Sequence, residues 1–118
     1  MQITNVSKGT LVADEVEVAR SFFARGKGLM GRTSLPAGFA LIIVPEWSIH
    51  TFFMRVPIDV LFVDKTHTVV GLRHAMVPSR PFAGVSPLKG QYVIELPAGV
   101  LTATGTAVGD LLEMSPPL

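Results

Sequence analysis

Four of the six arginines lie in or beside segments that also carry aromatic, glycine and acidic residues: Arg25, Arg32, Arg55 and Arg80. Arginine presents a planar fork of N–H donors that matches the oxygens of carboxylates and phosphates. If the four side chains converge, they would line a pocket for a small polar or anionic ligand. The structural alternative is that their stems cover apolar surface while their heads pair with nearby acidic side chains.

His50 and Asp59 stand among apolar residues in the segment from residue 49 to residue 64. On a strand, His50 would share a face with Phe52 and Met54. Asp59 begins a strongly apolar strand, where a carboxylate is expensive to bury unless it is paired. We interpret His50 as a further ligand donor and Asp59 as the group that orients one guanidinium. A structural role for Asp59, as partner of an arginine or of backbone N–H groups, stays open.

The same two residues support a second hypothesis, a small hydrolase-type enzyme. His50 would be the base and Asp59 the acid or orienting group, with Thr51, Ser79 or Ser86 as the nucleophile. The sequence contains neither a nucleophile-elbow motif nor a phosphate-cradling glycine loop. We therefore favour non-catalytic binding of a small metabolite over catalysis, and we assign no catalytic residue.

The composition excludes several kinds of site and partner. The 118 residues include no cysteine, which excludes disulfides, thiolate metal sites and cysteine nucleophiles. Three histidines and five methionines could suit copper, but no HxxxH or HExxH spacing occurs, so we predict neither a metal nor a cofactor. Ten Lys and Arg residues nearly balance nine Asp and Glu residues, which argues against a nucleic-acid partner.

The elements that must position these residues are mostly strands. Apolar runs and alternation predict strands near residues 2–6, 10–13, 15–19, 39–44, 48–54, 58–63, 68–77 and 91–96, and residues 111–114 are expected to close the fold. A short helix is expected near residues 21–31 and a turn or short helix from Pro97 to Gly105, and we interpret Gly28, Gly31 and Gly99 as positions of unusual backbone dihedrals. Residues 78–90 predict a long loop. The fold class is mainly β, a single domain over residues 1–118, as a compact barrel or sandwich of about eight short strands with one short helix.

Four short motifs occur in an order and at spacings that resemble one known family. They are Arg25-x-x-Gly28-Leu29-Met30-Gly31-Arg32, the block Ile49 to Asp64, Glu95-Leu96-Pro97-Ala98-Gly99, and Gly109-Asp110. Together they resemble the widespread uncharacterised family whose domain of unknown function is numbered 192, an ancient conserved region, over residues 14–114. The resemblance implies a single β-rich domain with few helices and no established activity. Related sequences often carry an aromatic residue where this chain has Ser79, which removes a stacking surface from that loop.

The sequence also bears on location and on partners. The longest apolar run, residues 39–44, is far shorter than the roughly 20 residues of a spanning helix, and residues 1–20 lack the pattern of a signal peptide. We expect a cytoplasmic protein without a membrane span, with an exported form left open. With 48% hydrophobic and 16% charged residues, the chain is also a candidate homo-oligomer or protein-interaction module, with Trp47, Phe82 and Tyr92 as contact residues.

Overall fold

A computed structural model describes residues 1–49, 54–78 and 83–118 of the chain. These residues form strands that make three sheets, together with two short helices. In chain order the elements are β1 (Gln2–Asn5), β2 (Thr10–Ala13), β3 (Glu15–Ala19), α1 (Phe22–Lys27), β4 (Phe39–Ile43), β5 (Ser48–Ile49), β6 (Ile58–Val63), β7 (Val69–Met76), β8 (Ala83–Gly84), β9 (Tyr92–Pro97), α2 (Val100–Thr104) and β10 (Leu112–Ser115).

A five-stranded sheet forms the centre of the molecule, with the order β3-β4-β9-β6-β7. β3 runs parallel to β4, and the other neighbouring pairs are antiparallel. Every residue of β4 and β6 is buried, as are the first five residues of β9. Strands covered on both faces read as continuous apolar runs, which is why these three segments occupy the middle of the sheet.

Alternate residues of each central strand point to opposite faces of this sheet. On one face, Ile42, Leu61 and Ile94 pack with residues of a second sheet of order β10-β1-β2, and we call this the small-sheet face. On the other, Leu41, Val60 and Val93 belong to the cluster that contains Leu29, Ile49 and Met54, and we call this the α1 face. Successive residues of a central strand therefore lie in two different environments, one on each face of the sheet.

Glycines end both helices. The side chain of Ser21 accepts a hydrogen bond from the N–H of Ala24 at 3.0 Å and caps the start of α1. Gly28 ends this helix with φ +48°, and the Met30 N–H then closes a turn onto the Lys27 carbonyl at 3.0 Å. Gly99 and Gly105 flank α2 with φ of +99° and +70°. Positive φ at Gly28 and Gly99, and at Gly31, confirms the interpretation of these glycines as special backbone positions.

The mainly β prediction is confirmed, and of the two expected architectures, barrel or sandwich, the structure excludes the barrel because the sheets do not close on one another. The predicted helix near residues 21–31 is shorter because Gly28 stops it, and the segment from Pro97 to Gly105 supplies a second helix. The loop at residues 78–90 contains β8, which pairs with β5. Much of the predicted strand 48–54 lies outside the described residues. No helix within the described ranges is long and apolar enough to span a membrane.

Candidate functional site

A cavity of about 220 Å³ lies against the α1 face of the central sheet. Its walls come from α1 and the turn after it, from Ile43 on β4, from β5 and from Glu95 on β9. Side chains that can bind a polar group line it: Arg25, Lys27, Glu46, Ser48 and Glu95. Pockets for drug-sized ligands span roughly 300–1,000 Å³, so this cavity suits a smaller molecule.

Glu95 is the most unusual side chain of this cavity. It is 3% exposed, and its strand neighbours on either side are Leu41 of β4 and Val60 of β6. Its Oε1 atom has no hydrogen-bond partner among the described residues. Burial raises the pKa of Glu95 to about 7, because an ionised carboxylate loses its hydration there. Near neutral pH this group therefore exchanges between a carboxylate that accepts hydrogen bonds and an acid that can donate one.

Arg25 reaches the same cavity from α1. Its Nη1 donates to the carbonyl of Pro45 at 3.0 Å, while its buried Nε has no partner among the described residues. The ion pairs found in the described ranges are Lys8 with Asp110 and Arg32 with Glu17, so Arg25 and Glu95 share a cavity without joining in a salt bridge. Two side chains of the cavity lining thus each carry one buried polar atom without a partner among the described residues, a donor on Arg25 and a carboxylate oxygen on Glu95.

Gly28 brings the backbone close to the Glu95 carboxylate. A Cβ atom at this position would lie 3.2 Å from Glu95 Oε1, a tight contact for a carbon atom. The φ of +48° adds a second requirement for glycine, since L residues with side chains rarely adopt it. Both the dihedral and the space therefore select glycine at this edge of the cavity.

Neither Arg55 nor Arg32 lines this cavity. Arg55 lines a cleft of about 520 Å³ that shares Lys27, Met30 and Met54 with the Arg25 cavity, so the two spaces adjoin. Arg32 instead holds both oxygens of Glu17 at 3.3 Å and places its guanidinium 5.0 Å from the ring centre of Phe39.

His50 and Arg80 lie outside the described residues, as do Thr51, Ser79 and Phe82.

Asp59 occupies the opposite side of the central sheet. It is fully buried on the small-sheet face, where its Oδ1 accepts the N–H of Ala75 at 2.8 Å. Its Oδ2 accepts the N–H groups of Gly99 at 3.1 Å and Leu101 at 2.9 Å. Asp59 thus holds β7 and the start of α2 on the sheet, and it does not line the cavity.

Of the predicted contact residues, Tyr92 does not lie at the surface. It is 1% exposed, and its hydroxyl lies 2.8 Å from His67 Nδ1 and 3.7 Å from the sulfur of Met114. Burial, together with the negative charge of Asp64, raises the pKa of the Tyr92 hydroxyl above its ordinary value. The prediction of Tyr92 as a surface contact is therefore wrong, because its ring completes the core of the small-sheet face.

A family model described as uncharacterised ACR, the domain of unknown function numbered 192, matches residues 3–114. The chain belongs to this family. A UPF0127 protein of Thermococcus sibiricus is 34% identical over 116 residues, which covers 94% of this chain and 73% of that protein. A UPF0127 protein of Pyrococcus furiosus is 36% identical over 114 residues, covering 92% of this chain and 94% of that protein. The family resemblance, expected from residue 14 onward, begins at residue 3.

Two solved structures share the ACR family fold seen in this chain. A protein of unknown function from Novosphingobium aromaticivorans superposes with a TM-score of 0.82 at 24% identity, covering 96% of this chain and 82% of that chain. A candidate transcription regulator from Sinorhizobium meliloti gives a TM-score of 0.79 at 26% identity, covering 95% and 89% of the two chains. These likenesses show the fold of this ACR family member and assign it no activity.

In this ACR family member the cavity forms where separate motifs meet. Arg25 and Gly28 come from the first motif, Met54 from the central block, and Glu95 from the third motif. Sequence reasoning missed Glu95 as a site residue and considered it only as an arginine partner. The signal was available, because Glu95 interrupts an apolar strand as Asp59 does, but the sequence does not show which of the two acids has partners.

Proposed function

We propose that this domain binds a small polar ligand carrying an anionic group in the cavity beside α1, and that it does so without catalysing a reaction. The observation that carries the proposal is the pair of buried, unpartnered atoms in one cavity, Arg25 Nε and Glu95 Oε1. Buried polar groups almost always have partners, and leaving one unsatisfied costs about 1–3 kcal/mol. A ligand that pairs with both atoms would offset this cost, and the same contacts would hold it.

The two basic side chains that α1 contributes to the cavity support an anionic group on the ligand. Arg25 and Lys27 enter from α1, and Arg55 lines the adjoining cleft. A carboxylate or phosphate can accept from the free Nε–H of Arg25 while the Nη1 of the same guanidinium keeps its bond to Pro45. The anion pocket predicted from four arginines thus becomes a pocket centred on Arg25, with Arg55 at its neighbouring cleft.

A thermal-shift screen tests the proposal with phosphates, carboxylates, amino acids, sugars and nucleotides at millimolar concentration. A ligand at about 100 times its dissociation constant adds about 2.7 kcal/mol of stability. For a chain of this size the melting temperature should rise by on the order of ten degrees.

The variant Arg25→Gln should abolish this shift. Arg73→Gln is the matched control, because the Arg73 guanidinium is exposed on β7 and donates to the carbonyl of Leu72 at 2.8 Å. A flat panel, or a shift that survives Arg25→Gln, would contradict the proposed site.

The enzyme hypothesis requires His50 and Asp59 in one site. Both oxygens of Asp59 already accept backbone N–H groups on the small-sheet face, away from the cavity. The described residues therefore give this pairing no support. Full turnover of a discovered substrate by His50→Ala would remove it.

An interaction module remains the second candidate function, because one specific feature favours it. Phe22 and Phe23 on α1 are 87% and 80% exposed, and the helix has no buried residue. Two neighbouring exposed aromatic rings are a contact surface that a second copy of the chain could cover. Sedimentation of the wild-type protein and of Phe22→Ser with Phe23→Ser tests it: a concentration-dependent dimer that the double variant loses would support the module, and a monomer throughout would oppose self-association.

A further inference from the structure

We infer that the ligand of the α1 cavity is a small zwitterion, with a carboxylate that binds Arg25 and an ammonium group that binds Glu95, as in an amino acid. This inference rests on the proposed function and names the class of ligand. It is drawn from the polarity of the two unsatisfied atoms and from the charge balance of the cavity.

The two unsatisfied atoms have opposite hydrogen-bonding character. Arg25 Nε can only donate a hydrogen bond, since a guanidinium stays protonated. Glu95 Oε1, when ionised, is an acceptor. A ligand that satisfies both must present an acceptor to Arg25 and a donor to Glu95. A plain carboxylate presents acceptors only, and an ammonium group presents donors only.

The charge balance points to the same ligand. The ionisable side chains that line the cavity are Arg25 and Lys27 from α1, Glu46, and Glu95 from β9. With Glu95 ionised, these four charges cancel, and a zwitterion leaves the balance unchanged. A simple anion would add negative charge beside a buried carboxylate, and it would be accepted only with Glu95 protonated.

The surroundings of Glu95 make an ammonium partner especially favourable. The strand neighbours of Glu95 in β4 and β6 are the apolar residues Leu41 and Val60, so neither side of the sheet supplies a countercharge. A ligand ammonium would bring that charge and stabilise the ionised carboxylate. Binding of a zwitterion must therefore drive a proton off Glu95 wherever the free protein holds one.

The direction of the pH dependence distinguishes the two ligand classes. Because the pKa of Glu95 is about 7 in the free protein, only about a tenth of the molecules carry the carboxylate at pH 6. The affinity for a zwitterion should rise about tenfold from pH 6 to pH 8 and then level off. The affinity for a simple anion should fall over the same range, since it needs the protonated acid.

Titration calorimetry of the full chain at pH 6, 7 and 8 tests this, with glycine, L-alanine and β-alanine as zwitterions and propionate, lactate and propylamine as comparators. Repeating the pH 6 titration in two buffers of different ionisation enthalpy measures protons released, expected to be close to one per zwitterion bound. Glu95→Gln should remove both the proton release and the rise in affinity with pH. Glu113→Gln, an exposed acid-to-amide change on β10, should keep both.

Each outcome has a distinct meaning. Zwitterion binding that strengthens with pH and loses this dependence in Glu95→Gln supports the inference. Binding of propionate or lactate that weakens with pH overturns the inference and leaves the proposed function standing. If the pH dependence of zwitterion binding is the same in Glu95→Gln as in the wild type, the inference is also overturned. A failure of every probe and of the wider screen overturns the proposed function itself.

Discussion

Replacing Glu95 with glutamine should make the protein more stable above neutral pH. Glutamine has nearly the shape of the protonated acid, but it cannot ionise. In the native state Glu95 is 3% exposed and its Oε1 has no partner among the described residues, so its ionised form lacks the hydration that the unfolded chain provides. The wild-type protein must accept this unfavourable charge as the pH rises, whereas the variant never carries it.

The size and sign of the effect follow from the two pKa values. The pKa of Glu95 is about 7 in the folded protein, against 4.5 for an unperturbed side chain. Between these values the native state holds a proton that the unfolded state has lost, so the free energy of unfolding falls as the pH rises. At about 1.4 kcal/mol for each pKa unit, the loss across this window is about 3 kcal/mol. Above pH 7 both states are ionised and the contribution becomes constant.

Urea unfolding at pH 5, 6, 7 and 8 measures this difference. The variant should exceed the free energy of unfolding of the wild type by less than about 1 kcal/mol at pH 5 and by about 3 kcal/mol at pH 8. The acids Asp64 and Asp110 do not disturb this window, because hydrogen bonds hold their pKa values below 3.8. Glu113→Gln controls for a general effect of losing one negative charge. Parallel profiles for the wild type and Glu95→Gln from pH 5 to pH 8 would refute the reasoning.

Three further predictions concern the residues around the two faces of the sheet. Asp59→Ala leaves three backbone N–H groups without their acceptor, one of them on the buried Leu101, and should lower the free energy of unfolding by about 2–3 kcal/mol in urea; an effect below about 1 kcal/mol would contradict this role. Gly28→Ala should cost about 1–3 kcal/mol in urea through its φ of +48° and weaken any ligand binding seen by calorimetry, while Gly31→Ala, with open space around it, should spare binding. Asp110 accepts a hydrogen bond from Asn5 and forms an ion pair with Lys8 at 2.8 Å, and these contacts lower the pKa of its carboxyl group. The ionised carboxylate therefore stabilises the fold above about pH 4, and this stabilisation is lost as the pH falls through the lowered pKa. Asp110→Asn should therefore flatten the acid limb of the stability profile, followed by circular dichroism from pH 5 to pH 2, and an unchanged limb would argue against it.

The strands were predictable because their signal is local. The run Ile58–Val63 is apolar except for Asp59 and forms a strand with those bounds, and Glu15–Ala19 alternates and forms β3. Helix ends were less predictable. The helix α1 ends where Gly28 adopts a positive φ, and a glycine in the sequence permits such a dihedral without showing that the helix ends there. The sequence could not distinguish a barrel from a sandwich because closure depends on which strands pair. In the structure β1 pairs with β2 and β10 instead of joining the central sheet.

The site was harder to predict because it depends on strand order. Arg25 and Glu95 are 70 positions apart in the sequence and line one cavity because β9 inserts between β4 and β6 and α1 lies beside that face of the sheet. Arg32 differs from Arg25 by two helical turns in sequence, yet it leaves the cavity and binds Glu17 after the turn at Gly28. No spacing rule in a single sequence distinguishes these two arginines.

The two buried acids of the central sheet provide an internal comparison that bears on function. Asp59 on the small-sheet face receives three backbone N–H groups, as a buried carboxylate that serves the fold requires. Glu95, on the α1 face, leaves Oε1 unpaired beside a cavity and beside the equally unpaired Nε of Arg25. A residue that only completed the core would be replaced by an apolar side chain with a gain in stability. Because departures from these packing rules concentrate at functional sites, the unsatisfied acid is the stronger of the two indications for the proposed binding site.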